Sequence, residues 1–156
     1  MPPSPQTTTP DLAVLTVRTR NFGPIDVRQD QIIYLEPGLL GFTQFHRYVL
    51  IEHQREYPFI WLQCLDNPEL AFVVIDPRCF LADYQPGPYP LIFQEMGVEN
   101  PEDLKVLVIL TIPPGKPQDM TANLMGPVVI NLKTRQGKQL VMEDPRYHHK
   151  YRVLPG

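Results

Sequence analysis

The stretch that decides the fold runs from Phe59 to Asp76 and reads FIWLQCLDNPELAFVVID. Apolar, β-branched and aromatic residues fill both arms of this stretch, and the Asp66–Pro68 tripeptide between them favours a tight turn. We therefore predict a β-hairpin of two buried strands. Trp61, the single tryptophan of the chain, is expected to anchor the core because an indole buries more area than its neighbours.

The rest of the chain repeats this pattern of short apolar segments separated by turns. Its 19 prolines in 156 residues are about twice the usual share and disfavour long helices. Proline and glycine bracket one short helix over 90–97. Further strands are predicted at 13–20, 22–27 (with a turn), 31–35, 48–52, 104–112, 121–132 and 139–142, the last two joined by a turn at 134–138. The predicted class is all-β: a closed or nearly closed barrel-like single domain of about eight to nine short strands with one or two short helices.

Length and composition favour one domain with a tail at each end. Proline-rich, polar residues at the N-terminus indicate a disordered tail over 1–12. The barrel domain is expected over 13–145. A charged segment without periodicity predicts a flexible tail over 146–156.

The formal net charge of −3 is unevenly distributed. Residues 52–104 carry ten acidic and two basic residues, whereas residues 105–156 carry eight basic and three acidic residues. An acidic middle argues against direct nucleic-acid binding there and suits a basic protein partner, although solvated loops give the same pattern. No signal peptide precedes the two cysteines, and no apolar run reaches membrane-spanning length, so we expect reduced thiols in a cytoplasmic protein.

Catalytic and metal-binding patterns are weak. Ser4, the single serine, lies in the predicted tail, which disfavours a serine hydrolase. Cys64 has Asp66 and His53 nearby in sequence, but no nucleophile signature surrounds it, and a structural cysteine is the favoured interpretation. The adjacent pair His148 and His149 cannot easily share a metal on a strand. We predict no enzyme, metal, cofactor or small-molecule substrate.

A basic stretch near the C-terminus leaves RNA binding open as an alternative. Basic residues interleaved with tyrosines are typical of nucleic-acid surfaces, whereas the same charges on a hairpin also protect an exposed sheet edge. The residues are Lys133, Arg135, Lys138, Arg146, Tyr147, Lys150, Tyr151 and Arg152.

Two segments carry a family resemblance. The first runs over Trp61–Gln63 and Asp66–Pro77. The second is Thr121–Gln139, TANLMGPVVINLKTRQGKQ. Both closely resemble the signature segments of the flagellar assembly factor FliW, and the loop Gly38–Phe42 and the segment Phe80–Tyr84 also fit. The resemblance extends over about residues 13–150.

The resemblance implies a small cytoplasmic β-barrel-like protein without enzymatic activity. Members bind flagellin before export and also bind the translational regulator CsrA, which they antagonise allosterically. Flagellin that accumulates captures the FliW protein, and the released CsrA then represses flagellin synthesis. The chain is accordingly expected to be a monomer that binds two proteins and no nucleic acid or membrane.

Loops beside the 59–76 hairpin are the predicted partner-binding surface, because loops on a rigid scaffold commonly carry binding. The turn contributes its tip residues, and the proline-flanked arm after Phe80 can pack against a partner edge. The side chains of Asn123 and Asn131 are expected to cap backbone groups instead. The predicted contact residues are Leu65, Asn67, Glu69, Asp83, Tyr84, Gln85 and Ile112.

Overall fold

The computed structural model describes residues 13–52 and 58–154. These ranges contain eleven strands and one α-helix, α1, at Tyr89–Met96. The strands are β1 Val14–Thr19, β2 Gly23–Arg28, β3 Ile33–Leu35, β4 Arg47–Glu52, β5 Ile60–Cys64, β6 Ala71–Ile75, β7 Leu104–Thr111, β8 Thr121–Ala122, β9 Val128–Asn131, β10 Gln136–Gln139 and β11 Tyr151–Arg152. No helix in these ranges is long and apolar enough to span a membrane.

Seven strands form a closed barrel in the order β7-β6-β5-β4-β3-β10-β9, and β9 pairs back with β7. All neighbours are antiparallel except β3 and β10, which are parallel. β8 and β11 extend the sheet from the C-terminal half of β7, and β1 and β2 form a separate hairpin. The predicted all-β barrel is confirmed. The strand count exceeds the prediction because the segment 121–132, predicted to form one or two strands, forms both β8 and β9. In addition, β11 has only two residues, too few for a sequence pattern.

The barrel interior forms the main core. Ile60, Leu62 and Cys64 alternate along β5, and each is at most 7% exposed. They pack with Tyr48 of β4 and with apolar residues of the other barrel strands. Full burial of one such aliphatic side chain contributes about 1.5–3 kcal/mol, so this interior is the principal source of stability.

Two further apolar clusters cover the outside of the barrel. One lies beneath the β1–β2 hairpin and includes Val27 and Val49. The other includes Tyr84, Leu124 and Tyr147 and lies beneath the segments that follow β6 and β10. Because the wall is packed on both faces, strands such as β7 appear in the sequence as continuous apolar runs.

Trp61 is half-buried and does not belong to the barrel interior. Its neighbours Ile60 and Leu62 point inward, and alternation along the strand turns the indole outward. There its ring meets Phe22 edge-on, with 5.6 Å between ring centroids. The prediction that Trp61 anchors the core is therefore wrong, and the indole instead supports the turn of the β1–β2 hairpin.

The turn between β9 and β10 lies earlier than the sequence predicts. Arg135 adopts a positive φ of 65° and closes the turn, so no glycine is needed there. Gly137 lies within β10, where an added Cβ would be 2.7 Å from the Val129 carbonyl oxygen. The predicted strand 139–142 is thus replaced by a strand over Gln136–Gln139.

The helix and the asparagine caps agree with prediction. α1 ends at Gly97, which has the left-handed conformation, φ 67°. Asn131 donates its amide to the carbonyl oxygens of Met96 and Gly97 at 3.0 and 3.3 Å. Its Oδ1 accepts from the Lys133 N–H at 2.9 Å. This side chain therefore ties the end of α1 to the β9–β10 turn.

The packed fold continues beyond residue 145. Tyr147 is 6% exposed and stacks on Tyr84 with 4.6 Å between ring centroids, and β11 pairs with β8. The predicted C-terminal tail is thus corrected for residues 146–154, because isolated aromatic residues hold this segment without any periodic pattern. The predicted N-terminal tail, 1–12, and residues 155–156 lie outside the described residues.

Candidate protein-binding surface

Five segments meet at one end of the barrel, which we call the rim. Three of them connect β1 to β2, β3 to β4 and β5 to β6, and two follow β7 and β10. Their residues are 20–22, 36–46, 65–70, 112 and 139–141. The pairing of Val74 with Ile109 carries Ile112 to the start of β6, beside the 65–70 turn.

Hydrogen bonds join the rim segments to one another. The Arg20 N–H donates to the Pro68 carbonyl oxygen at 2.9 Å. Across the rim, the Leu40 N–H donates to Gln139 Oε1, also at 2.9 Å. These bonds join the β1–β2 turn to the β5–β6 turn, and the β3–β4 connection to the end of β10.

The β5–β6 turn is held by side-chain amides. Asn67 Oδ1 accepts from the Glu69 N–H at 3.0 Å. Beneath the turn, the fully buried Gln63 donates from Nε2 to the carbonyl oxygens of Cys64 and Leu70 at 3.0 and 3.2 Å. Asn67 and Glu69 are thus presented on a fixed backbone. The predicted contact residue Leu65 is only partly exposed, because it packs against the cluster beneath the β1–β2 hairpin.

Ion pairs neutralise the carboxylates of this turn. Asp66 Oδ1 lies 2.6 Å from Arg47 Nη2, and Glu69 Oε1 lies 3.4 Å from Arg20 Nη1. Hydrogen bonding from Arg47 lowers the pKa of Asp66 below its ordinary value. The turn is therefore less acidic toward a partner than its sequence indicates.

Three of the eight large apolar side chains that are exposed in the described ranges lie on the rim. Leu40, Ile112 and Val141 are 62%, 39% and 65% exposed. Beneath them, the rings of Phe42 and Phe72 pack edge-on, with 5.4 Å between centroids. Ile112 belongs to the predicted contact residues, whereas Leu40 and Val141 do not. The neighbouring Leu39 is 1% exposed and belongs to the core.

The predicted arm follows β6 and is not one of the five rim segments. β6 runs away from the 65–70 turn, so the segment after Phe80 begins at the opposite end of that strand. Asp83 and Gln85 are exposed. Tyr84 is 2% exposed and donates its hydroxyl to the Leu124 carbonyl oxygen at 2.8 Å. Tyr84 is therefore a core residue rather than an available contact, which corrects its place in the predicted set.

The described residues do not assemble a catalytic or metal-binding constellation around the candidates. Cys64 is fully buried in the barrel interior, where burial raises the pKa of its thiol. Its possible partner His53 lies outside the described residues. Within 13–52 and 58–154, no group of three or more His, Cys, Asp or Glu side chains could hold a metal ion.

Three of the six basic residues of the RNA-binding alternative form ion pairs. Lys138 pairs with Glu95, Arg146 with Asp144 and Arg152 with Asp119. Tyr147 is buried, and Arg135 lies at the end of the barrel opposite the rim. Lys150, Tyr151 and Arg152 line one groove together with His148, and Arg135 is remote from it.

Comparison with known proteins assigns the fold to a family. The family model described as FliW protein matches residues 16–153. The chain belongs to the FliW family. A solved structure, "Crystal structure of the flagellar assembly factor FliW", superposes with a TM-score of 0.81 at 32% identity, covering 90% of this chain and 98% of that chain.

Relatives named "Flagellar assembly factor FliW" match almost the whole FliW-family chain. The protein from Treponema denticola is 39% identical over 141 residues, which cover 90% of this chain and 94% of the relative. That from Leptospira biflexa is 38% identical over 140 residues, covering 90% and 92%. That from Thermotoga neapolitana is 34% identical over 135 residues, covering 86% and 91%. The FliW resemblance found in the sequence is thus confirmed.

Proposed function

We propose that this protein is a cytoplasmic, monomeric, non-enzymatic regulator of flagellar assembly that binds flagellin and antagonises the translational regulator CsrA. In this proposal it couples the level of flagellin to flagellin translation and uses no cofactor, small-molecule substrate, nucleic acid or membrane. Membership of the FliW family supports the assignment to flagellar assembly. The observation that carries protein binding is the rim, where Leu40, Ile112 and Val141 are exposed at one end of a closed barrel.

The rim has the composition of a surface that binds protein. Leu40, Ile112 and Val141 offer apolar area to a partner, while the pairs Arg47–Asp66 and Arg20–Glu69 form a polar border. An apolar centre with a polar periphery is the usual anatomy of a specific interface. We assign this surface to flagellin, because a subunit held before export must have apolar assembly surfaces covered.

The arm supplies a second surface of different chemistry. Asp83 is exposed and forms no ion pair within the described part of the chain. An RNA-binding regulator such as CsrA carries positive charge, and complementary charges steer association. We assign the arm, with Asp83 and Gln85, to CsrA. Two separate surfaces on one barrel suit antagonism by coupled binding, in which each partner alters the affinity of the other.

Separation-of-function variants test this assignment by calorimetry with purified flagellin and purified CsrA. Leu40→Asp places a charge in the apolar rim, and we expect flagellin affinity to fall about tenfold or more. Leu91→Asp is the matched control, because Leu91 is 61% exposed against 62% for Leu40 but lies on α1. Its affinity for flagellin should remain within about twofold of the parent protein.

Substitution of Glu69 and Asp83 by lysine tests the proposed electrostatic contribution to CsrA binding. We expect CsrA binding to weaken, with most of the loss coming from Asp83, since Glu69 already faces Arg20. Unchanged CsrA affinity would refute the electrostatic assignment. Failure of the parent protein to bind either flagellin or CsrA would refute the proposed function itself.

A further inference from the structure

A polar cleft of about 320 Å³ opens at the end of the barrel opposite the rim. It lies between the end of β2, the end of β4, the start of β7 and the β9–β10 turn. Three basic and two acidic side chains line it: Arg28, Lys105 and Arg135, with Asp30 and Glu52. Neither the predicted contact residues nor the proposed partner surfaces include this cleft.

Arg135 is the distinctive group in the cleft. Its positive φ places it at the corner of the β9–β10 turn, and its Nη2 donates to the Gln31 carbonyl oxygen at 2.9 Å. The Nε atom is buried and has no hydrogen-bond partner among the described residues. Burial lowers the pKa of this guanidinium, and no carboxylate of the described chain forms an ion pair with it.

The remaining charges leave the cleft with a net positive balance. Arg28 is paired with Asp30, at 3.1 Å between Nε and Oδ1. Among the lining residues this leaves Lys105 and Arg135 with one carboxylate, Glu52, while Lys105 is also attracted to Asp76 outside the lining and Arg135 to Asp30. Lys105 makes no side-chain hydrogen bond in the described part of the fold. A guanidinium has five N–H donors in a planar fork that matches carboxylate or phosphate oxygens. Of the Arg135 guanidinium nitrogens, Nη2 alone donates a hydrogen bond within the described chain.

We propose that this cleft binds a small oxyanion, a carboxylate or a phosphate, through Arg135 and Lys105. Its volume is at the lower end of the range of about 300–1,000 Å³ for ligand sites, so the ligand has few heavy atoms. Glu52 disfavours highly charged anions and offers an acceptor to a ligand that also carries a hydrogen-bond donor. The site is independent of partner binding at the rim and the arm.

Titration of the full chain with inorganic phosphate and, separately, succinate tests the site. Ionic strength is held constant with sodium chloride, and backbone amide and arginine Nε–Hε resonances are followed by NMR. We expect saturable shifts at the cleft residues. A response to phosphate alone identifies the phosphate class, a response to succinate alone the carboxylate class, and either supports the site.

Four substitutions test the site, because each has an expected direction of change, or no change, in anion affinity. Arg135→Gln and Lys105→Gln should each weaken binding about tenfold, as expected for loss of a charged hydrogen bond. Glu52→Gln should tighten binding, because it removes the opposing charge. Arg146→Gln is the control for a general loss of positive charge, since Arg146 pairs with Asp144 at 2.7 Å and does not line the cleft.

Two results overturn the proposal. One is the absence of saturation with both anions at the highest attainable concentrations. The other is an equal effect of the Arg146 and Lys105 substitutions, which would indicate non-specific charge attraction. Lys105→Gln keeps the test decisive if Arg135→Gln disturbs the turn, because the Lys105 side chain makes no hydrogen bond within the described fold.

Discussion

Gly137→Ala tests how closely the β9–β10 wall of the barrel is packed. An added Cβ would lie 2.7 Å from the Val129 carbonyl oxygen and 3.0 Å from side-chain atoms of both Ile130 and Leu35. The carbonyl belongs to the β9 backbone and cannot rotate away, so a strand must shift. Overpacking of this kind costs about 1–3 kcal/mol. Alanine offsets about 0.5–1 kcal/mol of this cost, because it loses less backbone conformational entropy on folding than glycine does. Because a backbone carbonyl cannot move aside alone, we place the overpacking cost at the upper end of the range and expect a net loss of about 2 kcal/mol in the free energy of unfolding.

Gly126→Ala is the matched control for this substitution. Its Cβ would lie even closer to a neighbour, 2.6 Å from Gln139 Nε2, but that atom ends a side chain that can move. Moving this side chain gives up its bond to the Gly126 carbonyl oxygen and the bond it accepts from the Leu40 N–H. At about 0.5 kcal/mol for each bond at the surface, we expect a loss of about 1 kcal/mol. Urea titration followed by Trp61 fluorescence measures both variants. The reasoning is refuted if Gly137→Ala is as stable as the parent protein or if Gly126→Ala costs more.

Three other residues give predictions that a denaturation experiment can check. Tyr84→Phe leaves the Leu124 carbonyl without its donor, so we expect a loss of about 1–2 kcal/mol in urea titrations with unchanged partner binding; lost binding at full stability would contradict the core assignment of Tyr84. Asn131→Ala removes the bonds to α1 and to the following turn, and we expect a loss of about 2–3 kcal/mol in thermal unfolding, whereas a loss below about 1 kcal/mol would show that the cap is dispensable. Because Arg47 lowers the pKa of Asp66, their pair stabilises the fold above the ordinary carboxyl pKa and ceases to do so as the pH falls through the folded-state value. Asp66→Asn should therefore cost about 0.5 kcal/mol at neutral pH and nothing below that folded-state pKa, and an equal cost at both pH values would exclude an ionic contribution.

Local chemistry made much of the fold predictable. Alternating and β-branched residues around the Asp66–Pro68 turn predicted β5 and β6, which pair directly in the structure. Proline before and glycine after the helical segment predicted α1. The sequence indicated a closed or nearly closed barrel but did not indicate which strands close it. The pairs that close it, β3 with β10 and β7 with β9, depend on contacts between distant parts of the chain.

The candidate surface was predictable at the turn and less so elsewhere. Asn67 and Glu69 lie on the rim because Asx-turn chemistry is local. Tyr84 could not be placed from its own neighbourhood, because Tyr147 and Leu124 cover it from remote segments. Leu40 and Leu39 are adjacent in sequence, and their opposite exposures depend on how the loop meets β10.

The parallel pairing of β10 with β3 has a consequence for how the protein is made. Gln136 and Gly137 pair with Tyr34 and Leu35, so the ring cannot close until nearly the whole chain has left the ribosome. Until then β3 presents an unpaired edge, and such edges recruit strands from other chains. Folds dominated by such non-local pairings also fold slowly. A stalled or truncated nascent chain is therefore an aggregation hazard, and the yield of native protein in the cell depends on how quickly translation reaches the end of β10.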